Sequence, residues 1–229
     1  MHALYGRTVA ALPPDYDSDP ERSRSFRLGW QQDVHRPVAN RLAAAGSRTV
    51  VDIGCGTGRF GEAVDGRMAW IGVDSSSRQL EDCRCRPVVR ADALALPLRD
   101  ESADAVVLLW MLYHFHDPAT ALLEAKRVVR TGGLVAASTT SRWNDPELVP
   151  QGYPPTSFDA EDAAEIIAAL FGAANVEVER WDEPMVELHD RDEVAAYARS
   201  HLLPVDAAEG VRPPITLTKR GCLIWAVKA

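Results

Sequence analysis

The chain is poor in cysteine, with four in 229 residues: Cys55, Cys83, Cys85 and Cys222. They form no CxxC pair, and no second Cys or His pair stands at zinc-hook spacing. Neither a disulfide framework nor a metal site is therefore expected, and free thiols in a reducing cytoplasm are. Long hydrophobic runs are missing as well. No stretch of about 18 apolar residues occurs, so no transmembrane helix is expected. The start, MHALYGRTVAALPPDYDSDPERSR, lacks a basic segment followed by an apolar one, and no signal peptide is expected. Positive charge is in deficit: 33 acidic against 25 basic residues give a formal net charge of −8. Such a balance disfavours non-specific binding to nucleic acid or to an anionic membrane. Internal repeats and low-complexity tracts are absent too.

What is present is an ordinary globular composition, long enough for one sizeable α/β domain with at most a small appendage. Residues 1–36 are polar and irregular, with Tyr5, Tyr16, Phe26 and Trp30 scattered through them and a helix expected after Ser18 or Asp19. PVANRLAAAG reads as a helix stopped by Gly46. Regular alternation follows. RTVVDIG, AWIGVD, PVVRAD, ADAVVLLW and GGLVAAST read as strands, with helices over GRFGEAV, SSRQLEDCR (capped by Ser75 or Ser76) and PATALLEAKRVVR. Short Val- and Leu-rich runs between helices indicate a parallel sheet covered on both faces. Helices are expected over residues 159–172 and 190–203. Residues 176–181 and 215–227 alternate polar and apolar, which predicts an antiparallel pair closing one edge of the sheet.

The first strand enters DIGCGTG. In open α/β sheets ligands sit beyond the carboxyl ends of the strands, and Gly54, Gly56 and Gly58 would let backbone approach one closely. Two ligands use such a turn: a dinucleotide, whose pyrophosphate needs the helix N-terminus, or S-adenosylmethionine (SAM), which carries no phosphate. Gly56, Gly58 and Gly61 fit GxGxxG and Asp74 ends the second strand, but this pattern alone separates neither. Asp52, two residues before Gly54, would repel a pyrophosphate and could accept from an ammonium group. Asp92 ends the third expected strand, where an acceptor can meet an amino-purine edge.

DIGCGTG, GVDSS, ADALALPL, LLWMLYHFHDPATALLEAKRVVRTGG and LVAAST, in this order and spacing over residues 48–140, resemble the class I SAM-dependent methyltransferases, most closely the small UbiE-like group. The resemblance implies a Rossmann-like, doubly wound seven-stranded sheet with an antiparallel last strand and an N-terminal helical lid. It divides residues 1–229, one methyltransferase domain, into a lid (1–45), a SAM-binding core (46–140) and a C-terminal half bearing acceptor-site elements (141–229). It also implies roles. Gly54, Gly56 and Gly58 line the methionine part of SAM with Asp52 near its ammonium. Asp74 takes the ribose hydroxyls and Ser75 follows against the adenosine. Asp92 and the backbone of Ala93 meet the adenine, and Trp110 lies near the sulfonium, where the family often has a small or polar residue. S-adenosylhomocysteine (SAH) is the product.

A hydroxyl or ammonium acceptor needs a base. His114 is the candidate, with the alternative that it supports the strand-to-helix turn; His116 is a weaker one. Tyr5, Tyr16, Phe26 and Trp30 either form the lid or pin N-terminal helices to the sheet. Trp143, Tyr153 and Phe158, after the fifth strand, are candidate walls of the acceptor site. The expected reaction is methyl transfer to O, N or C of a small-molecule acceptor, with neither nucleic acid nor membrane as partner. RNA or protein methylation is the alternative, weakened by the acidic balance and by the lack of a [DN]PP[YFW] tetrad. A nicotinamide-dependent oxidoreductase and a non-catalytic SAM-binding protein stand further back.

Overall fold

The structure is a computed structural model that describes Asp17, residues 32–201, Leu203 and residues 205–229. The expected helix after Ser18 and the aromatics Tyr5, Tyr16, Phe26 and Trp30 lie outside these residues, as does most of the lid assigned to residues 1–45, of which Asp17 and residues 32–45 are described.

The elements run α1 (His35–Ala44), β1 (Thr49–Ile53), α2 (Arg59–Val64), β2 (Ala69–Asp74), α3 (Ser77–Asp82), β3 (Val88–Arg90), β4 (Ala103–Leu109), α4 (Pro118–Val128), β5 (Val129–Thr140), α5 (Ala163–Phe171), β6 (Val176–Leu188), α6 (Arg191–Ser200) and β7 (Ile215–Val227). A 3-10 turn, Leu112–His114, follows β4. The strands form one seven-stranded sheet in the order β3-β2-β1-β4-β5-β7-β6. β7 pairs antiparallel with both β5 and β6, while β1 to β5 pair in parallel. The fold is thus the Rossmann-like, mostly parallel sheet expected, with the antiparallel pair at its edge.

Burial on both faces explains the apolar strands. Val51, Val106 and Val135 face one apolar cluster with Leu122 and Ala125 of α4 and Ile167 of α5. Val50, Val107 and Ala136 face the other, with Val38 and Leu42 of α1 and Phe60 of α2. A strand sandwiched this way cannot alternate with polar residues. α4 begins where its sequence directs: Asp117 Oδ1 accepts from the Ala119 amide at 3.0 Å, and Pro118 occupies the first turn.

Several boundaries differ from the expectation. α4 ends at Val128, not Arg130, and β5 begins at Val129. Extended backbone suits the β-branched pair Val128–Val129, and the excess residues leave as an irregularity between Ala103 and Ala105 in the β4–β5 register. β3 stops at Arg90, so Asp92 lies two residues past it. α5 begins at Ala163, not Asp159.

β6 and β7 outrun the rest of the sheet. β5 pairs with β7 only as far as Thr140 opposite Gly221, whereas β6 and β7 stay paired to Leu188 opposite Ile215. Their overhang projects beyond the carboxyl end of β5. It carries a third apolar cluster built from Leu148, Val149, Val186, Leu188, Val194, Tyr197 and Leu217. β6 is the edge, and Pro184 beside its register irregularity is where an edge tolerates a missing donor.

Candidate functional site

The turn after β1 is built from left-handed glycines: Gly54, Gly56 and Gly58 have φ of +72°, +52° and +87°. Its amides are tied to β2. Gly54 N donates to Val73 O at 2.7 Å, Cys55 N to the same oxygen at 3.1 Å, and Gly56 N to Asp74 Oδ2 at 2.8 Å. A Cβ on Gly54 would lie 2.9 Å from Met111 Cβ, so the turn also abuts the segment after β4. A Cβ on Gly56 would meet nothing closer than Gln79 Oε1 at 3.8 Å. Backbone is left open there.

Asp74 joins two turns. Oδ2 accepts from Gly56 N and Oδ1 accepts from Ser76 N at 2.9 Å. Each oxygen keeps acceptor capacity for a further hydroxyl. Burial raises its pKa, opposed by these amide hydrogen bonds. Ser76, not Ser75, caps α3: its Oγ accepts from Gln79 N at 3.1 Å. Ser75 is exposed, and its carbonyl accepts from Arg90 Nε at 3.1 Å.

Asp52 is 2% exposed, and its Oδ2 accepts from Trp70 Nε1 at 3.1 Å. Burial, with a smaller push from Asp74, raises its pKa to about 7 against the hydrogen bond from Trp70. A carboxylate held this way ionises readily only when a cation comes near. Asp92 is exposed and its Oδ1 accepts from Leu94 N at 2.9 Å, while Ala93 next to it is buried.

Trp110 follows β4 in a left-handed conformation, φ +60°, unusual for a bulky side chain. Its amide donates to Ser138 O and to Ser138 Oγ, both at 3.2 Å. Along β4 the residues alternate between the two apolar clusters up to Leu109, but Trp110 joins the same cluster as Leu109, and Met111 returns to the other. The positive φ is what breaks the alternation. The indole is 8% exposed, and among the described residues nothing accepts from its Nε1. A buried unmade hydrogen bond of this kind costs about 1–3 kcal/mol, and such strain on backbone about as much again. His114 closes the 3-10 turn, its amide donating to Met111 O at 3.1 Å and its ring 4.8 Å from that of Tyr113.

The fold therefore gathers Asp52, Gly54, Gly56, Gly58, Asp74, Ser75, Asp92 and Ala93 at the carboxyl ends of β1 to β3, with Trp110 and His114 beyond β4. The expected acceptor wall fares differently. Phe158 is fully buried in a sheet-face cluster, and Tyr153 OH donates to buried Asp145 at 2.8 Å. Phe158 is therefore interior packing, while Tyr153 is half-buried and anchored by its hydroxyl. Trp143 is 49% exposed and lies over Gly152.

Four residues escaped the sequence reading. Trp70 holds Asp52. Gln79 is buried beside Gly56; the spacing Ser76-x-x-Gln79 is a capping-box signal that marks the position. Asp17 lies at the start of α3, its Oδ1 accepting from Ser76 Oγ at 2.5 Å and from Arg78 N at 3.2 Å. Trp181 of β6 meets Trp110 edge-on, ring centroids 5.8 Å apart. Nothing local in the sequence signals the last two.

Residues 51–137 match the family described as a methyltransferase domain, and the sheet order and glycine turn are of the same kind. The fold is that of the class I SAM-dependent methyltransferases, a family whose cofactor is SAM. The structure is similar to the crystal structure of the YcgJ protein from Bacillus subtilis, with a TM-score of 0.58, 18% identity, and 83% of this chain and 97% of that one covered. Among curated proteins it is 36% identical over 142 residues to the tRNA (carboxymethyluridine(34)-5-O)-methyltransferase ALKBH8 of Macaca fascicularis, covering 53% of this chain and 21% of that one. It is 31% identical over 135 residues to the demethylmenaquinone methyltransferase of Renibacterium salmoninarum, covering 57% and 56%. The chain spans between 21% and 59% of the length of the curated relatives it matches first. The residues present fit SAM. Open backbone at Gly56, an ionisable acid at Asp52 and a doubly anchored acid at Asp74 are the kinds of group that an aminoacyl chain and a ribose require.

Proposed function

We propose that the protein transfers a methyl group from SAM to O, N or C of a small diffusible acceptor. The observation that carries this is the bond from Gly56 N to Asp74 Oδ2, which locks the open glycine turn to the acid at the end of β2. Asp52 and the glycine turn hold the aminoacyl chain, Asp74 the ribose hydroxyls, and Asp92 with the amide of Ala93 the adenine. When bound, the cofactor supplies a methyl group activated by its sulfonium. The chain must align an acceptor and exclude water, and positioning of this kind can supply about 7–11 kcal/mol of barrier reduction. His114 takes the proton from a hydroxyl or ammonium acceptor.

The charge of the β6–β7 overhang favours a small acceptor. Asp182, Glu183 and Glu187 are exposed on it, Asp182 being paired with Arg220. An excess of acidic side chains disfavours a polyphosphate backbone. The similarity to ALKBH8 keeps tRNA as the second reading. Calorimetric titration with SAH beside NADH and NADPH, followed by transfer of tritiated methyl into a low-molecular-weight metabolite extract and into bulk tRNA, tests both. Binding of SAH alone and label in the small fraction support the proposal. Label in tRNA alone replaces it with the second reading, and binding of a dinucleotide alone removes both.

A further inference from the structure

Trp110, which the resemblance sets near the sulfonium, has a polar edge that no described residue uses. Its backbone is left-handed, its indole is buried, and its N–H meets no acceptor among the described residues. The ring is held, not adrift. Trp181 packs edge-on against it, and Trp181 in turn occupies space that a side chain on β7 would fill: a Cβ on Gly221 would lie 2.5 Å from Trp181 Cζ2. A glycine inside a strand weakens it and marks a close approach. Gly221, Trp181 and Trp110 thus form a built stack that fixes an unused donor.

Its position tells which ligand it serves. The groups that fit SAM lie on β1 to β3, and Met111 is what reaches back to Gly54. Trp110 leans the other way. Its amide is bonded to Ser138 of β5 and its ring touches β6. This is the side on which the β6–β7 overhang rises past the sheet. Indole rings offer flat apolar surface with a single polar edge, which suits a flat partner carrying a hydrogen-bond acceptor.

We propose that Trp110 is a specificity-determining residue whose indole N–H donates to a carbonyl or phenolate oxygen of a planar, unsaturated methyl acceptor, with Trp110 and Trp181 as the aromatic wall of its pocket. This rests on the small-molecule reading above.

The test uses the whole chain labelled with ¹⁵N at tryptophan, which has six indole N–H signals. Trp110→Phe assigns the relevant one; should that variant not fold, Trp181→Phe assigns it through the lost ring current. SAH is added first, then each of a panel of phenols, naphthols and hydroxyquinones, with aliphatic amines, thiols and carboxylates as the contrasting panel. The expected result is a downfield move of the Trp110 indole proton when a planar compound joins the SAH complex, and methylation of that compound. Trp110→Phe then raises its KM about 3- to 10-fold, the size of one neutral hydrogen bond, a larger change than it makes in the affinity for SAH. A signal that moves fully on SAH alone assigns the N–H to the cofactor and overturns the proposal. So does a still signal with the planar panel, whether or not aliphatic acceptors are methylated. If aliphatic acceptors are methylated the small-molecule reading survives; if only tRNA is, that reading fails with it.

Discussion

Asp52 Oδ2 accepts from Trp70 Nε1 at 3.1 Å, at a position where the carboxyl is almost wholly removed from water. Its pKa, raised by burial to about 7, stands above the ordinary value of 3.8. The folded state therefore holds a proton that the unfolded state has lost between about pH 4 and 7. Stability from this group is present below pH 4 and is lost as the pH rises through 7. Asp52→Asn should flatten that part of the pH profile, by about 2–4 kcal/mol across the window. Urea midpoints from pH 4 to 8 measure it, and parallel profiles for the two proteins would refute the burial argument.

The same acid gives a binding prediction. If the ammonium of SAH sits near Asp52, binding drives the proton off. Affinity should rise with pH toward 7, at most tenfold per pH unit, and proton release should show as a buffer-dependent heat at pH 6. Asp52→Asn should abolish both. Equal heats in two buffers of different ionisation enthalpy for the wild-type protein would place the ammonium elsewhere.

Asp74 is predicted to be dual in effect, because it anchors backbone as well as meeting ribose. Asp74→Ala removes the acceptor for Gly56 N and for Ser76 N. SAH affinity should fall about 10- to 100-fold, the worth of charge-assisted hydrogen bonds. Glycine-loop amides should also exchange faster with deuterium in the apo protein. Unchanged affinity would remove the ribose assignment.

How far the sequence foretold this follows from which interactions are local. β1, the glycine turn and Asp74 were legible because a sandwiched parallel strand must be a short apolar run, and because three left-handed positions, every second residue of the turn, favour glycine. The paired β6 and β7 were legible from alternation. The α4–β5 boundary was not, since Val128 and Val129 suit helix end and strand start equally. The reversal at Trp110 was invisible because a hydropathy pattern assumes that side chains keep alternating, and only φ records that they do not. Tyr153 looked like a pocket wall because its partner Asp145 is recognisable as a buried acceptor only after folding. The bond of Asp17 to Ser76 spans 59 positions of sequence and leaves no local trace.

His114 separates base from brace. In the fold it closes a 3-10 turn after β4 and its ring adjoins Tyr113. His114→Gln keeps a polar side chain there but cannot serve as a base near neutrality. As a base, His114 should be missed in turnover by a factor of about 10²–10⁴ with SAH affinity intact. Loss of affinity and turnover together, restored by no change of pH, would instead mean a brace for the turn against Gly54.

Lys219 Nζ lies 2.9 Å from Asp145 Oδ1, both groups being almost fully buried in the overhang. Lys219 also donates to Tyr197 OH. Oδ2 of Asp145 accepts from Tyr197 OH at 2.6 Å, Tyr153 OH at 2.8 Å and Asn144 Nδ2 at 2.7 Å. Every polar atom in the group has a partner, and desolvation lowers the pKa of Lys219 against the pull of Asp145. Lys219→Met strands a buried carboxylate and should cost about 3–5 kcal/mol. Replacing both charges, Lys219→Met with Asp145→Asn, should recover much of that loss, because two buried charges repay their desolvation only in part. Thermal or urea unfolding of the two variants measures the difference. SAH affinity should stay within twofold of the wild type in both, since the network stands on the β6–β7 side of the sheet. A fall in SAH affinity that tracks the stability loss would mean that the overhang and the glycine turn unfold as one unit.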